Sequence, residues 1–178
     1  METSKAWVVS VLMGLGHLRA AYPLRDSACE GIILYGTRRS TPPREYRIWR
    51  RLRKIYYFSS NVGKVPLLGK PLLDLLLAVQ RIQPYYPRRD LSRPSLAVRY
   101  LGRLVSGKGL CRDLLVRMNR LPLPRIHSFY ATAVASDHAV AAGQDYLLIC
   151  DSDFNRVWVP RDPRSGHLKY LAPCTQVR

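Results

Sequence analysis

The sequence predicts an α/β fold: a Rossmann-like, mostly parallel sheet with helices on both faces and a helical basic insertion. Three observations carry this expectation. Short runs rich in Val, Ile and Leu at 7–13, 32–35 and 146–150 are continuously apolar, as strands buried on both faces must be. Helical patterns lie between the strand-like runs, giving the β-α-β order of a doubly wound sheet. The first run ends in Gly14-Leu15-Gly16, a tight turn from strand into helix.

Taken in order, residues 7–13 predict the first strand and 18–28 a helix, with Gly31 beyond its end. Residues 32–35 predict a second strand, so the first unit is a right-handed crossover. A basic loop with Pro42 and Pro43 follows. Helices are expected at 45–59 and 72–82, then an irregular Pro-rich loop at 84–94. Two more helices are expected at 95–105 and 110–119, so that the insertion covers about 37–121. Strand-helix alternation resumes with a strand at 126–130, a small-residue helix at 131–142 and a buried strand at 146–150. Residues 157–159 read as a short strand extension and 168–171 as a last strand. There is no internal repeat.

A chain of 178 residues, 47% of them hydrophobic, suits one domain with a core and is too apolar for a disordered chain. The net charge of +17 favours phosphates, nucleic acid or anionic lipid headgroups as contacts. The four cysteines, Cys29, Cys111, Cys150 and Cys174, form no CxxC pair. They predict a reduced, cytoplasmic protein with no disulfide framework and no zinc site. The apolar start resembles a signal peptide, but His17-Leu18-Arg19 falls where a cleavage region is small and neutral. No run reaches the length that spans a bilayer; the nearest, 65–79, is interrupted by Lys70 and Asp74.

Three constellations carry possible chemistry. In the first, Gly14 and Gly16 let a ligand approach the backbone, and His17 follows at the carboxyl ends of the strands. An imidazole there suits removal of a proton from a hydroxyl near neutral pH. The plainer reading is a tight turn capped by its own histidine. A dinucleotide fingerprint would need a glycine where Arg19 stands, and Gly36-Thr37-Arg38-Arg39 replaces its ribose-binding acid. Those arginines would suit a 2′-phosphate, which keeps an NADP-type domain as an alternative. In the second, Asp151-Ser152-Asp153 follows a buried strand. It can be a phosphatase nucleophile pair, a metal-binding pair of single-domain glycosyltransferases, or two loop-capping acids. In the third, Arg38, Arg39, Arg50, Arg51, Arg88 and Arg89 are interleaved with Trp49, Tyr56 and Tyr57. Such a segment can stack on nucleic acid or lie on an anionic membrane with Trp49, the tyrosines, Leu67 and Leu68 in the headgroup layer. The adjacent apolar stretch 65–79 favours the membrane, and no nucleic-acid motif is visible.

Four stretches can be read together: the strand-Gly-x-Gly-His start, Ile126-His127-Ser128-Phe129-Tyr130, Cys150-Asp151-Ser152-Asp153 with Trp158, and Tyr170-Leu171-Ala172-Pro173. In that order they resemble the N-terminal domain of two-domain (GT-B) glycosyltransferases of the monogalactosyldiacylglycerol-synthase and MurG group. The resemblance covers about 5–36 and 122–175 and leaves 37–121 unexplained. It implies transfer of a sugar from a nucleotide donor to a lipid or lipid-linked acceptor at the inner face of a membrane. It also implies His17 as general base, Gly14 and Gly16 as the turn, and His127 and Asp151 on the acceptor side. No metal and no cofactor is implied. The donor half has no counterpart in the sequence, so the expected partner is a nucleotide-sugar-binding domain, in cis or on a separate chain. The alternative is a non-catalytic basic module on anionic membrane or nucleic acid.

Overall fold

The computed structural model describes residues 5–61, 69–82, 88, 93–139, 143–150, 156–159 and 167–172. Five strands form one sheet: β1 (Ala6–Val11), β2 (Ala28–Tyr35), β3 (Arg125–His127), β4 (Asp145–Leu148) and β5 (Leu168–Leu171). Their order is β2-β1-β3-β4-β5 and every pairing is parallel. Strand β1 sits between β2 and β3 and is buried at all six positions, which is why its sequence, apart from Ser10, is apolar without alternation.

The two faces of β1 meet different layers. Val8 packs with Ala21 and Ala28, beneath the short helix α1 (Leu15–Ala21). Trp7, Val9 and Val11 face the opposite way and join the large core. The insertion comprises α2 (Pro43–Asn61), α3 (Gly69–Gln80), α4 (Leu96–Lys108) and α5 (Arg112–Met118), and α2, α4 and α5 cover that core. Leu101, Leu104, Leu114 and Met118 supply its apolar faces, and α6 (Tyr130–His138) adds Ala131, Val134 and Ala135. The insertion therefore supplies most of the second helical layer of the sheet.

Local chemistry sets the ends of these elements. Gly14, just before α1, has φ 105 and ψ 168, a region open only to glycine. Ser95 caps α4 by accepting a hydrogen bond from the Val98 amide at 3.2 Å. Glu45, in the first turn of α2, is buried and accepts from Tyr35 Oη and from the Cys111 amide, each at 2.9 Å. It ties α2 to β2 and to the start of α5. Burial pushes the Glu45 carboxyl above its usual range, against those two donors, which pull it down.

Three expectations require correction. The helix expected at 18–28 stops at Ala21, and a 3-10 turn with Pro23 in its first positions runs over Tyr22–Ser27. Proline lacks the amide that an α-helix would need. Gly31 lies inside β2, not after a helix, with φ 72. Ala6 pairs with Ala28 but Val8 with Ile32, so β2 fits extra residues into the ladder as a bulge, and Gly31 takes the left-handed turn this needs. Residues expected to extend a strand at 157–159 instead follow a 3-10 turn over Arg156–Trp158.

Candidate functional site

The sheet reverses its winding between β1 and β3, because β2 lies on one side of β1 and β3, β4 and β5 on the other. In open parallel sheets, ligands bind in the crevice at the carboxyl ends of the strands at that point. The loops leaving β1 and β3 meet there. The Ser128 amide donates to the Val9 carbonyl at 3.0 Å, and the Ser128 and Ser10 hydroxyls are 3.0 Å apart. His17, delivered by the Gly14–Gly16 turn, places Nδ1 2.7 Å from the Ser128 carbonyl oxygen. A carbonyl only accepts, so Nδ1 carries the hydrogen of this bond. The Cys150 thiol donates to the same carbonyl at 3.3 Å.

His17 is 5% exposed and held edge-on to Phe129, with ring centroids 4.9 Å apart. It lines a cavity of about 480 Å³ between the carboxyl edge of the sheet and the insertion. Met13, Phe129, Tyr130 and Trp158 form the sheet side. Leu52, Ile55 and Tyr56 from α2, Leu73 and Leu77 from α3, and Tyr100 and Leu101 from α4 form the other walls. Ile55, Leu77, Ala97 and Tyr100 are also exposed, so residues from three helices mark the mouth. Burial, with a smaller contribution from Tyr56, pushes the Tyr130 hydroxyl up to about 12, so it stays neutral. The result is a largely apolar chamber with an imidazole on its wall.

The expected site residues separate. Gly14, Gly16 and His17 stand together at the crevice. His127 does not line the cavity. It is fully buried, with Nε2 3.1 Å from Asp145 Oδ1 and Nδ1 3.1 Å from Thr132 Oγ1. Arg125 and Ser136 bond the same Asp145 carboxylate, so His127 belongs to a polar network that joins β3, β4 and α6. Asp151 and Arg89 lie outside the described residues, as do Leu67 and Leu68. Trp49, expected at a membrane, is 1% exposed and packs edge-on against Tyr35 at 6.0 Å. It shares the inward face of α2 with Glu45, Leu52 and Tyr56, whose spacing puts them on one side of a helix. Arg38, Arg39, Arg50, Arg51 and Arg88 are exposed; Arg38 lies over the Tyr46 ring and Arg39 lines a separate cavity of about 280 Å³.

Sequence reasoning named Ser128, Phe129 and Trp158 only within the stretches that carry the resemblance and gave none of them a role at the site. The first two follow His127 directly at a strand exit, a position that could have marked them. Only the fold brings Trp158 within 6.4 Å of the His17 ring. Among the described residues no group of three or more His, Cys, Asp or Glu side chains could hold a metal ion. Among them, too, no helix is long and apolar enough to cross a membrane. Comparison with protein-family models, curated protein sequences and solved structures finds no match.

Proposed function

We propose that this chain is the acceptor-binding half of a glycosyltransferase that moves a sugar from a nucleotide donor to the hydroxyl of a lipid or lipid-linked acceptor. The observation that supports it is the position of His17, at the switch point of the sheet and on the wall of an apolar cavity. A hydroxyl is a poor nucleophile until a base takes its proton. The Ser128 carbonyl, accepting from Nδ1, orients the His17 ring without adding charge. An amphiphile with its hydroxyl at His17 and its chain along Leu52, Leu73 and Leu101 would match the lining. A nucleotide-sugar-binding domain, in cis or on a separate chain, would face the same carboxyl edge and hold the donor.

The reading is tested with that domain supplied and a panel of nucleotide sugars as donors. The 178-residue chain alone should give no transfer to diacylglycerol, and the completed enzyme should. His17→Ala should lower kcat by about 10²–10⁴-fold, the usual worth of a general base, while donor affinity stays near wild type. Near-normal kcat in that variant would make His17 a turn residue and end the assignment.

A further inference from the structure

The outward face of α2 carries a sequence gradient that the cavity does not explain. Arg44, Arg47, Arg51, Lys54 and Phe58 recur at alternating steps of three and four, so they form one stripe along the helix. All five are exposed. The stripe is cationic over its first three turns and ends in Phe58, 64% exposed, beside Ile55, 59% exposed. Ile55 also lines the cavity, where Leu77, Ala97 and Tyr100 complete the mouth. Charge, exposed apolar side chains and the opening of the chamber therefore lie in sequence along one surface.

We infer that this surface docks on an anionic lipid bilayer, with the α2 stripe on the headgroups and Phe58 and Ile55 inserted at the acyl boundary, so that the cavity opens toward the lipid. Charge complementarity selects this occupant. Cations flanking exposed aromatic and aliphatic groups match an interface whose outer layer is anionic and whose next layer is apolar. A nucleic acid would use the arginines and stack on Phe58 or Tyr100 but leave Ile55 and Leu77 in water. The inference deepens the acceptor reading, and rests on it only for why a lipid would leave the bilayer; docking stands or falls separately.

The test uses the full chain and vesicles of phosphatidylcholine, alone or mixed with phosphatidylglycerol, in a sedimentation assay without donor. Binding should require the anionic lipid and weaken as salt rises. Replacing Arg47, Arg51 and Lys54 together by Ala should weaken it on the order of a hundredfold at low salt, taking each cation near the surface as worth about fivefold. Phe58→Trp should show quenching of its added fluorescence by brominated acyl chains, since Trp7, Trp49 and Trp158 are all buried. Because these sites are exposed, circular dichroism should stay unchanged. Equal binding to neutral and anionic vesicles, no quenching at position 58, or tighter binding of a DNA oligonucleotide at the same salt would overturn the proposal. Docking with no lipid held in the cavity would instead count against the acceptor reading alone.

Discussion

The two histidines that follow strands illustrate how environment assigns a role to a residue type. His17 hydrogen-bonds a carbonyl through Nδ1 and lines the cavity, while His127 has Asp145 and Thr132 on its two nitrogens and no exposure. The Asp145 carboxylate gathers Arg125, His127 and Ser136 in a region sealed from water. Removing one member of such a group leaves a buried charge unpaired. Asp145→Ala is therefore expected to destabilise the fold by about 3–5 kcal/mol, read by urea unfolding. A loss below about 1 kcal/mol would mean that Arg125 finds another partner at no cost. Glu45 makes a different prediction. Its carboxyl titrates higher folded than unfolded, chiefly through burial, so its contribution is full below the ordinary carboxylate range and is lost as pH rises through the folded value. Glu45→Gln removes that titration. The stability of Glu45→Gln relative to wild type should then increase between pH 4 and pH 7 (about the span of carboxylate titration); a pH-independent difference would contradict the assignment. His17 was legible in the sequence because a turn of two glycines announced it. The structural role of His127 was not, because Asp145 is distant in sequence and pairs with it only across adjacent strands.

At the scale of elements, the Gly14-Leu15-Gly16 turn behaves as two different glycines. Gly14 holds a backbone conformation that strains any other residue, whereas Gly16 lies within α1 and an added Cβ there meets nothing within 4 Å. Gly14→Ala should cost about 1–3 kcal/mol and Gly16→Ala should be neutral or gain up to about 1 kcal/mol. Comparing the thermal midpoints of the two variants checks this; equal losses would show that the turn needs both. The strands at 7–13, 32–35 and 146–150 were legible as short apolar runs, as strands inside a parallel sheet must be, and 168–171 was legible although only Leu168 of it is buried. The Gly31 bulge was not, since it depends on how β2 registers against β1; the early end of α1 was in the sequence, at Pro23, although the expected helix ran past it. Trp49 was misplaced for a related reason. Charge surrounds it in sequence, but helical spacing turns it inward with Glu45 and Leu52 while the arginines turn out.

In the molecule as a whole, the insertion between β2 and β3 does two things. Its α2, α4 and α5 complete the core over one face of the sheet, and its α2, α3 and α4 wall the chamber that reaches His17. Nothing in the sequence of the insertion alone announces that chamber. It arises where amphipathic helices meet the carboxyl edge of a sheet fixed by distant segments. An acceptor-binding role requires that the chamber take an amphiphile with its hydroxyl near His17. The direct measurement is equilibrium binding of a fluorescent diacylglycerol to the full chain, wild type and Ala97→Trp. Ala97 is exposed and lines the cavity, so a bulky side chain there obstructs the opening without disturbing the core. Saturable binding of one lipid per chain, weakened at least tenfold by Ala97→Trp and little by His17→Ala, is the predicted result (a tenfold loss being about 1.4 kcal/mol). Absence of saturable binding, or equal binding by wild type and Ala97→Trp, would contradict it.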